Sequence, residues 1–429
     1  MQLQPSNSID PAPPQLHILS NGLKLVYKHL PNSPVTVSDV WVKAGAIKQP
    51  PNWQGIAHFL EHMIFKGSQL IAPSVFDRVI EENGGATNAS TSYDYAHFFL
   101  TVANEYQNAT LPLLAEIMLH AQIDEQEFYR EREVILDELR GCYDDPDFIA
   151  FELLSQSIYQ LHPYKDSIIG SEELLYQHTV QKLRCFHQTH YQPKNMTVVV
   201  VGGLKQDHAL TLVEDMFRDF CTPSECPHFE VEAEPPLVSI RRKEIELPRI
   251  TQARLLMGWL GPGVQNIEDS LALDLISIIL ASSRSSRLVK TLREQRQLVD
   301  DIASHLSLQS DSGLFCIGAY LNTENLESVE KSIIQEITQL QTNLVEAEEL
   351  FRAQKILSHS FLFSLESPQQ LAEFYGYYST IASLEVAMTL PAKIRQLTRE
   401  NLQIIAQKYL GVERYAVTII KPTFDQKYE

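Results

Sequence analysis

Residues 55–67 read GIAHFLEHMIFKG, a short segment with a glycine at each end and two histidines in its middle. The apolar residues recur with a helical period, and the flanking glycines predict where the helix begins and ends. On a helix with 3.6 residues per turn, His62 lies about 40° from His58, and Glu61 lies about 60° to the other side. The three side chains therefore share one face.

This helix face has the residue types of a zinc site. Two imidazoles at this spacing can bind one Zn²⁺, and the neighbouring carboxylate of Glu61 can act as the general base for a water molecule. The order HxxEH is the reverse of the more common HExxH order. The alternative is an ordinary amphipathic helix with surface histidines. A catalytic zinc site needs a third protein ligand, so the zinc interpretation requires one elsewhere in the chain.

A second predicted helix offers that ligand. Residues 130–141 read REREVILDELRG, and Glu131 and Glu138 are seven residues apart, which places them within about 20° of each other on a helix. Glu133 and Asp137 face elsewhere. Considered alone, such glutamates are more often solvated charges on a helix surface than metal ligands.

Three segments together resemble a known enzyme family. They are HFLEHMIFKGS from residue 58, NAST from residue 88 and EREVILDEL from residue 131. The combination is similar to the HxxEH metallopeptidases that include pitrilysin, insulin-degrading enzyme and the mitochondrial processing peptidases. The resemblance covers most of the amino-terminal half and, more loosely, the whole chain.

The resemblance implies a role for each matching residue. His58, His62 and Glu138 correspond to the ligands of one Zn²⁺ per chain, and Glu61 corresponds to the catalytic base. Glu131 matches an additional acidic residue of the family, which fits a partner that orients a ligand histidine.

The NAST segment implies a substrate-binding edge. Asn88 and Ala89 match the residues that open an edge strand in these enzymes, where a peptide substrate adds as a further strand through main-chain hydrogen bonds. Such binding tolerates many substrate sequences.

The chain is long enough for two domains. With 429 residues, it exceeds the size at which a single core usually stops growing. The Pro- and Glu-rich text from residue 221 to 236 indicates a boundary, so we predict a zinc-bearing domain over 1–225, a linker over 226–240 and a second domain over 241–429. The resemblance implies an α+β fold of two similar domains in a clamshell, each an antiparallel-rich sheet with helices packed on it.

A faint repeat supports two similar halves. Thr179 and Tyr191 precede the strand-like text MTVVVV, and Thr398 and Tyr409 precede YAVTII at nearly the same spacing. Each half is therefore predicted to end with a helix that leads into a strand, although chance recurrence of this pattern is an alternative.

Composition limits the partners. Thirty-five basic and 54 acidic residues give a net charge of −19, which argues against a nucleic acid bound through its phosphates. The charge fits a surface that keeps the protein soluble, and a preference for basic peptides is the alternative. Cys221, Cys226 and His228 are close in sequence but lack a second ligand pair at zinc-finger spacing, which favours incidental thiols.

The sequence also suggests a location. Its first 15 residues lack the cationic and apolar regions of a signal peptide, and no apolar run approaches the roughly 18 residues that span a bilayer. The five cysteines are scattered, unlike a secreted disulfide framework. We expect a cytoplasmic protein with no membrane partner.

The second half departs from the family pattern. Family members that bind substrate through this half carry an arginine and, seven residues later, a tyrosine. LREQRQLVDD supplies Arg293, but position 300 is aspartate. A tyrosine phenol donates a hydrogen bond, whereas the ionised carboxylate of Asp300 only accepts.

These features favour a zinc endopeptidase that cleaves peptides or unfolded segments, and the resemblance implies that it does so inside a closed chamber. Because Arg293 lacks its tyrosine, we expect the chain to be the metal-bearing subunit of a heterodimer whose partner supplies the Arg/Tyr pair. An active homodimer and a non-catalytic scaffold subunit of the same fold are the alternatives.

Overall fold

A computed structural model of the chain describes residues 13–227 and 229–423. His228 and most of the amino-terminal stretch considered for a targeting signal lie outside these residues. The strands are β1 Gln15–Ile18, β2 Lys24–His29, β3 Val35–Val42, β4 Ala86–Thr91, β5 Ala96–Ala103, β6 Met196–Gly202, β7 Arg241–Leu247, β8 Ala253–Pro262, β9 Asp301–Ser307, β10 Ser312–Leu321 and β11 Ala416–Pro422.

Helices make up a larger share of the chain than strands. They are α1 Ile56–Ile64, α2 Val75–Glu82, α3 Gln107–Leu119, α4 Glu125–Asp144, α5 Pro146–Ile158, α6 Glu172–Gln177, α7 Val180–His190, α8 Gln206–Met216, α9 Ile267–Ala281, α10 Leu326–Thr342, α11 Ala347–Phe363, α12 Pro368–Ile381, α13 Leu384–Gln396 and α14 Arg399–Tyr409. None of the helices within the described ranges is both long and apolar enough to cross a bilayer.

The strands form two sheets with the same internal order. In the part of the chain that the structure describes, the first sheet runs β1-β2-β6-β3-β5-β4 and the second runs β7-β11-β8-β10-β9. β6, the last strand of the first half, pairs parallel with β2, and β11, the last strand of the second half, pairs parallel with β7. The other neighbouring strands pair antiparallel. The predicted α+β fold with two antiparallel-rich sheets is confirmed.

The repeat seen in the sequence corresponds to equivalent elements of the two halves. Thr179 accepts the backbone N–H of Lys182 and caps α7, which leads into β6. Thr398 accepts the backbone N–H of Asn401 and caps α14, which leads into β11. A side-chain oxygen at this position pairs a helix N–H that has no partner within the helix, so both threonines start the helix before the last strand of their half.

The chain divides into two compact units that interleave along the sequence. Unit 1 takes Met1–Glu133, Tyr176–His228 and Ser364–Ala387, and unit 2 takes Val134–Leu175, Phe229–Phe363 and Met388–Glu429. These ranges differ from two consecutive domains because α5, which precedes the predicted linker, belongs to unit 2 and α12, which follows it, belongs to unit 1. The linker at 226–240 stays a prediction.

Close packing explains why each helix belongs to its unit. Within unit 2, α5 packs on β8 and β11, and a Cβ atom at Gly258 would meet the Leu154 side chain of α5 at 3.0 Å. Within unit 1, α12 packs on β3 and β6, and a Cβ atom at Gly376 would lie 2.0 Å from Nε1 of Trp41. Neither approach is visible in the sequence, because it joins residues distant along the chain.

Gly376 provides a test of the α12 packing. Replacing a glycine inside a helix by alanine ordinarily stabilises the helix by about 1 kcal/mol, but Gly376→Ala should overpack against the buried Trp41 ring and destabilise the protein by about 1–3 kcal/mol. Gly141→Ala is the matched control, since it lies inside α4 with no atom within 4 Å of the added Cβ. Urea unfolding should show opposite shifts for the two variants, and a stabilised Gly376→Ala would contradict the packing.

Candidate metal centre

The two residues before α1 determine where this helix begins. Gly55 precedes it with φ of +89°, a left-handed conformation that glycine adopts without steric cost. The carbonyl of Gln54 accepts a hydrogen bond from Nε2 of His178 at 3.0 Å. Burial lowers the pKa of His178 to about 4, against a smaller opposing effect of that hydrogen bond, so this histidine is neutral and serves as a structural donor near α1.

Paired side chains set the register between α1 and α4. The rings of Phe59 and Phe128 stack with centroids 4.7 Å apart, and both are fully buried. Three residues further along each helix, Nδ1 of His62 lies 2.9 Å from Oε1 of Glu131. Burying each phenylalanine stabilises the fold by about 1.5–3 kcal/mol, so an apolar contact supports the polar contact beside it.

The three predicted ligands come together. One ligand atom from each of His58, His62 and Glu138 lies within 4.8 Å of the others. The histidines are one helical turn apart on α1, and Glu138 lies two turns beyond Glu131 on the continuous helix α4. Two imidazole nitrogens and one carboxylate oxygen form the donor set of a catalytic zinc site, which keeps a further position for water. The residues therefore fit a zinc ion.

The carboxylate of Glu131 contacts both His62 and Lys66. Its Oε2 is 2.7 Å from Nζ of Lys66, and its Oε1 contacts Nδ1 of His62. Burial raises the pKa of Glu131, but the hydrogen bonds and charges of His62 and Lys66 outweigh burial and hold the pKa below its usual range. An ionised Glu131 accepts a hydrogen bond from the protonated Nδ1 of His62. The other ring nitrogen, Nε2, is then unprotonated and can bind a metal ion.

Glu61 faces the sheet edge. Its Oε2 accepts a hydrogen bond of 2.5 Å from Oγ1 of Thr91, the last residue of β4. Glu61 therefore stands between the histidines of α1 and the end of an edge strand. Thr91 limits the rotation of the carboxylate, which suits a base that must meet its proton at a fixed point.

Asn88 and Ala89 lie in β4, at the end of the strand order of the first sheet. Ala89 pairs with Phe98 of β5, and its backbone N–H donates to Oδ1 of Asn88 at 3.0 Å. Because β4 is at the sheet edge, one side of its backbone is not used by a neighbouring strand within the described residues. This edge is available for a further strand.

Arg293 and Asp300 belong to unit 2, and their polar groups contact residues of that unit. Nη1 of Arg293 lies 3.1 Å from Oδ1 of Asp301, and Nη2 lies 3.0 Å from Oε1 of Glu294. Asp300 accepts a hydrogen bond from the side-chain amide of Gln252 through Oδ2. The carboxylate of Asp300 acts here as an acceptor.

Lys66 and Thr91 are site residues that sequence reasoning missed. Lys66 lies in the turn that follows α1. In the sequence, where the helix is predicted to run to Gly67, its spacing of four residues from His62 could have revealed it. Thr91 ends the NAST segment, but its contact with Glu61 depends on how β4 meets α1, which no local pattern encodes.

Comparisons with known proteins identify the family of this chain. Residues 24–172 match the family model described as Insulinase (Peptidase family M16), and residues 177–357 match the model described as Peptidase M16 inactive domain. The metal-centre residues fall within the first match.

Similar proteins extend along nearly the whole chain. An uncharacterized zinc protease of Bacillus subtilis is 29% identical over 94% of this chain and 97% of its own length. A probable mitochondrial-processing peptidase subunit beta of Arabidopsis thaliana is 26% identical over 95% of this chain and 78% of its own length. The crystal structure of a protease from Helicobacter pylori superposes with a TM-score of 0.89 at 26% identity, covering 95% of this chain and 99% of the other. The resemblance found in the sequence is thereby confirmed, and the chain belongs to peptidase family M16.

Proposed function

We propose that this chain is a zinc-dependent endopeptidase that cleaves extended peptides or unfolded polypeptide segments. The observation that carries the proposal is the convergence of His58, His62 and Glu138, with Glu61 on the same helix as the two histidines. Relatives in Bacillus subtilis and Helicobacter pylori are named zinc proteases, which supports this chemistry for the chain.

The metal centre would hold one zinc ion per chain through His58, His62 and Glu138. When bound, zinc supplies Lewis-acid chemistry, which polarises a carbonyl oxygen and lowers the pKa of water. The ligand set of nitrogen and oxygen atoms occurs in catalytic zinc sites, although such ligands also accept other divalent metals. Glu131 acts through His62, whose Nδ1 proton it accepts, and so fixes the orientation of that ligand.

Glu61 would take the proton from the attacking water and later pass it to the leaving amine. A carboxylate can accept and return a proton in this way when it is held close to the reacting atoms. The hydrogen bond from Thr91 holds Oε2 of Glu61 and joins the base to the strand along which the substrate would bind.

The substrate would add to β4 as a further strand. Main-chain hydrogen bonds to an edge strand give affinity with little dependence on side chains, and Asn88 and Ala89 lie in that strand. An extended or unfolded segment can adopt this conformation, whereas a folded surface rarely presents one. This binding mode accounts for the proposed substrate class, and a preference for basic peptides stays part of the proposal.

Two residues of the second half support the proposal that the metal site and the Arg/Tyr pair belong to different subunits. Arg293 is engaged by Glu294 and Asp301, and Asp300 offers an acceptor where family members that bind substrate through this half have a phenol donor. We therefore propose that the chain pairs with a homologous subunit that supplies the Arg/Tyr pair, and that the two enclose a chamber. The model described as an inactive domain matches residues 177–357, and the described residues of that range contribute none of the three side chains of the candidate metal centre.

Replacement of the base tests the proposed activity. Glu61→Gln removes the proton acceptor while leaving both histidines in place, so cleavage of an unfolded model polypeptide should fall by about 10³-fold while zinc content stays at one ion per chain. Glu82→Gln, an exposed position in α2, is the control and should behave like the unmodified chain. Retained activity in Glu61→Gln would show that the assigned base is wrong.

The partner proposal has its own test. The chain purified alone should cleave peptides at least about 100-fold more slowly than the complex with its co-purifying subunit, since loss of one donor to a developing oxyanion costs about 10²–10³-fold. Asp300→Tyr should raise the activity of the chain alone by restoring a phenol donor. Full zinc-dependent cleavage by the unmodified chain alone would contradict the heterodimer and favour the homodimer. Absence of cleavage with any subunit would favour the scaffold.

A further inference from the structure

Two free cysteines of unit 1 lie side by side although they are 41 residues apart in sequence. Cys185 is on α7, and Cys226 lies in the extended segment that follows α8. Their Sγ atoms are 3.2 Å apart, and both residues are partly accessible. The sequence groups Cys226 with Cys221 and His228, but the structure pairs it with Cys185.

A hydroxyl on α7 holds the second thiol in place. Oγ1 of Thr189, one turn after Cys185, accepts the backbone N–H of Cys226 at 3.2 Å and lies 2.8 Å from the carbonyl oxygens of Cys185 and Ser224. The backbone at Cys226 is therefore fixed to the helix that carries Cys185. The closeness of the two sulfurs follows from these main-chain contacts.

The neighbouring Cys221 has a different environment. Its thiol donates to the carbonyl oxygen of Leu119 at 3.2 Å, on the side of α3. Although Cys221 and Cys226 are only five residues apart, their thiols therefore contact different parts of unit 1. This difference makes Cys221 a matched control for any reaction of Cys226.

We propose that Cys185 and Cys226 form a thiol–disulfide site that low-molecular-weight disulfides of the glutathione type oxidise. The sulfurs of a disulfide bond are about 2.05 Å apart, and the two Sγ atoms already lie 3.2 Å apart as thiols. The site is distinct from the metal centre, and the proposal is independent of the peptidase activity.

The reaction proceeds by two thiol–disulfide exchanges. The thiolate of Cys185 attacks one sulfur of the small disulfide, which forms a mixed disulfide and releases one small thiol. Cys226 then loses its proton to solvent and attacks Sγ of Cys185, which forms the protein disulfide and releases the second small thiol. Two protein thiols are oxidised and one small disulfide is reduced to two thiols.

The order of attack follows from the environment of Cys226. Burial raises the pKa of Cys226 to about 12, and the neighbouring Cys185 adds to this effect while Thr189 opposes it. Cys226 is therefore a thiol at neutral pH, and the first attack falls to Cys185. Once Cys185 carries the mixed disulfide, the adjacent Cys226 is the resolving group.

The disulfide bond would link the segment around Cys226 to α7. Cys226 lies two residues before the last residue of the range Tyr176–His228, so the disulfide ties the segment that leaves unit 1 to α7. A cross-link also restricts the unfolded chain and should raise the thermal unfolding midpoint of unit 1. Because α7 packs on α1, the same bond supports the helix that carries two of the ligands.

Mass spectrometry tests the proposal directly. The full chain is incubated with oxidised glutathione at neutral pH and digested with trypsin without reduction. The link between the peptides 185–194 and 219–241 is then located by fragmentation, because peptide 219–241 holds both Cys221 and Cys226. We expect Cys185 linked to Cys226, a fall from five to three free thiols, and a midpoint raised by several degrees that dithiothreitol reverses.

The variants separate this pair from other thiols. Cys221→Ser should form the same link, whereas Cys226→Ser should carry glutathione on Cys185 and show no raised midpoint. A link from Cys185 to Cys221, or glutathione on both Cys185 and Cys226 of the unmodified chain with no link between them, would overturn the proposal. The result on the unmodified chain decides the matter even if a variant fails to fold.

Discussion

The hydrogen bond between His62 and Glu131 is the interaction on which the metal centre depends. It joins the helix that carries the HxxEH residues to the helix that carries the third carboxylate, and the stacked rings of Phe59 and Phe128 place the helices so that it can form. With that register set, the seven-residue spacing from Glu131 to Glu138 puts a second carboxylate on the same face of α4, near the two histidines.

The polar and apolar parts of this contact have different roles. Removing two aromatic side chains from water supplies the stabilisation, while the buried carboxylate adds little net stability and specifies orientation. Lys66 compensates the charge of Glu131, which reduces the cost of burying this carboxylate beside His62. The apolar contact of Phe59 with Phe128 therefore positions the residues that we propose to bind the metal.

Local spacing made much of the site predictable. The helical period places His58, Glu61 and His62 on one face, and the period of α4 does the same for Glu131 and Glu138, because both patterns lie within a single element. The threonines that begin α7 and α14 were likewise visible as a repeat, since side-chain caps act within one turn.

Other features depend on contacts between elements distant in sequence. The contact of Thr91 with Glu61, the packing of α12 over Trp41 and the pairing of Cys185 with Cys226 each join distant segments, so no periodicity reveals them. The assignment of α5 to unit 2 and of α12 to unit 1 likewise depends on contacts between distant segments. The family resemblance was needed to predict Glu138 as the third ligand, because from spacing alone a solvated glutamate is the commoner explanation.

The zinc affinity of two matched variants tests the metal centre most directly. Glu138 and Glu133 are both exposed glutamates of α4, but only Glu138 is close to the histidines. Competition with a chromophoric chelator should show that Glu138→Gln weakens zinc binding by at least about 100-fold, since one of three protein ligands is lost, while Glu133→Gln binds zinc like the unmodified chain. Equal affinity in the two variants would contradict the assigned ligand set.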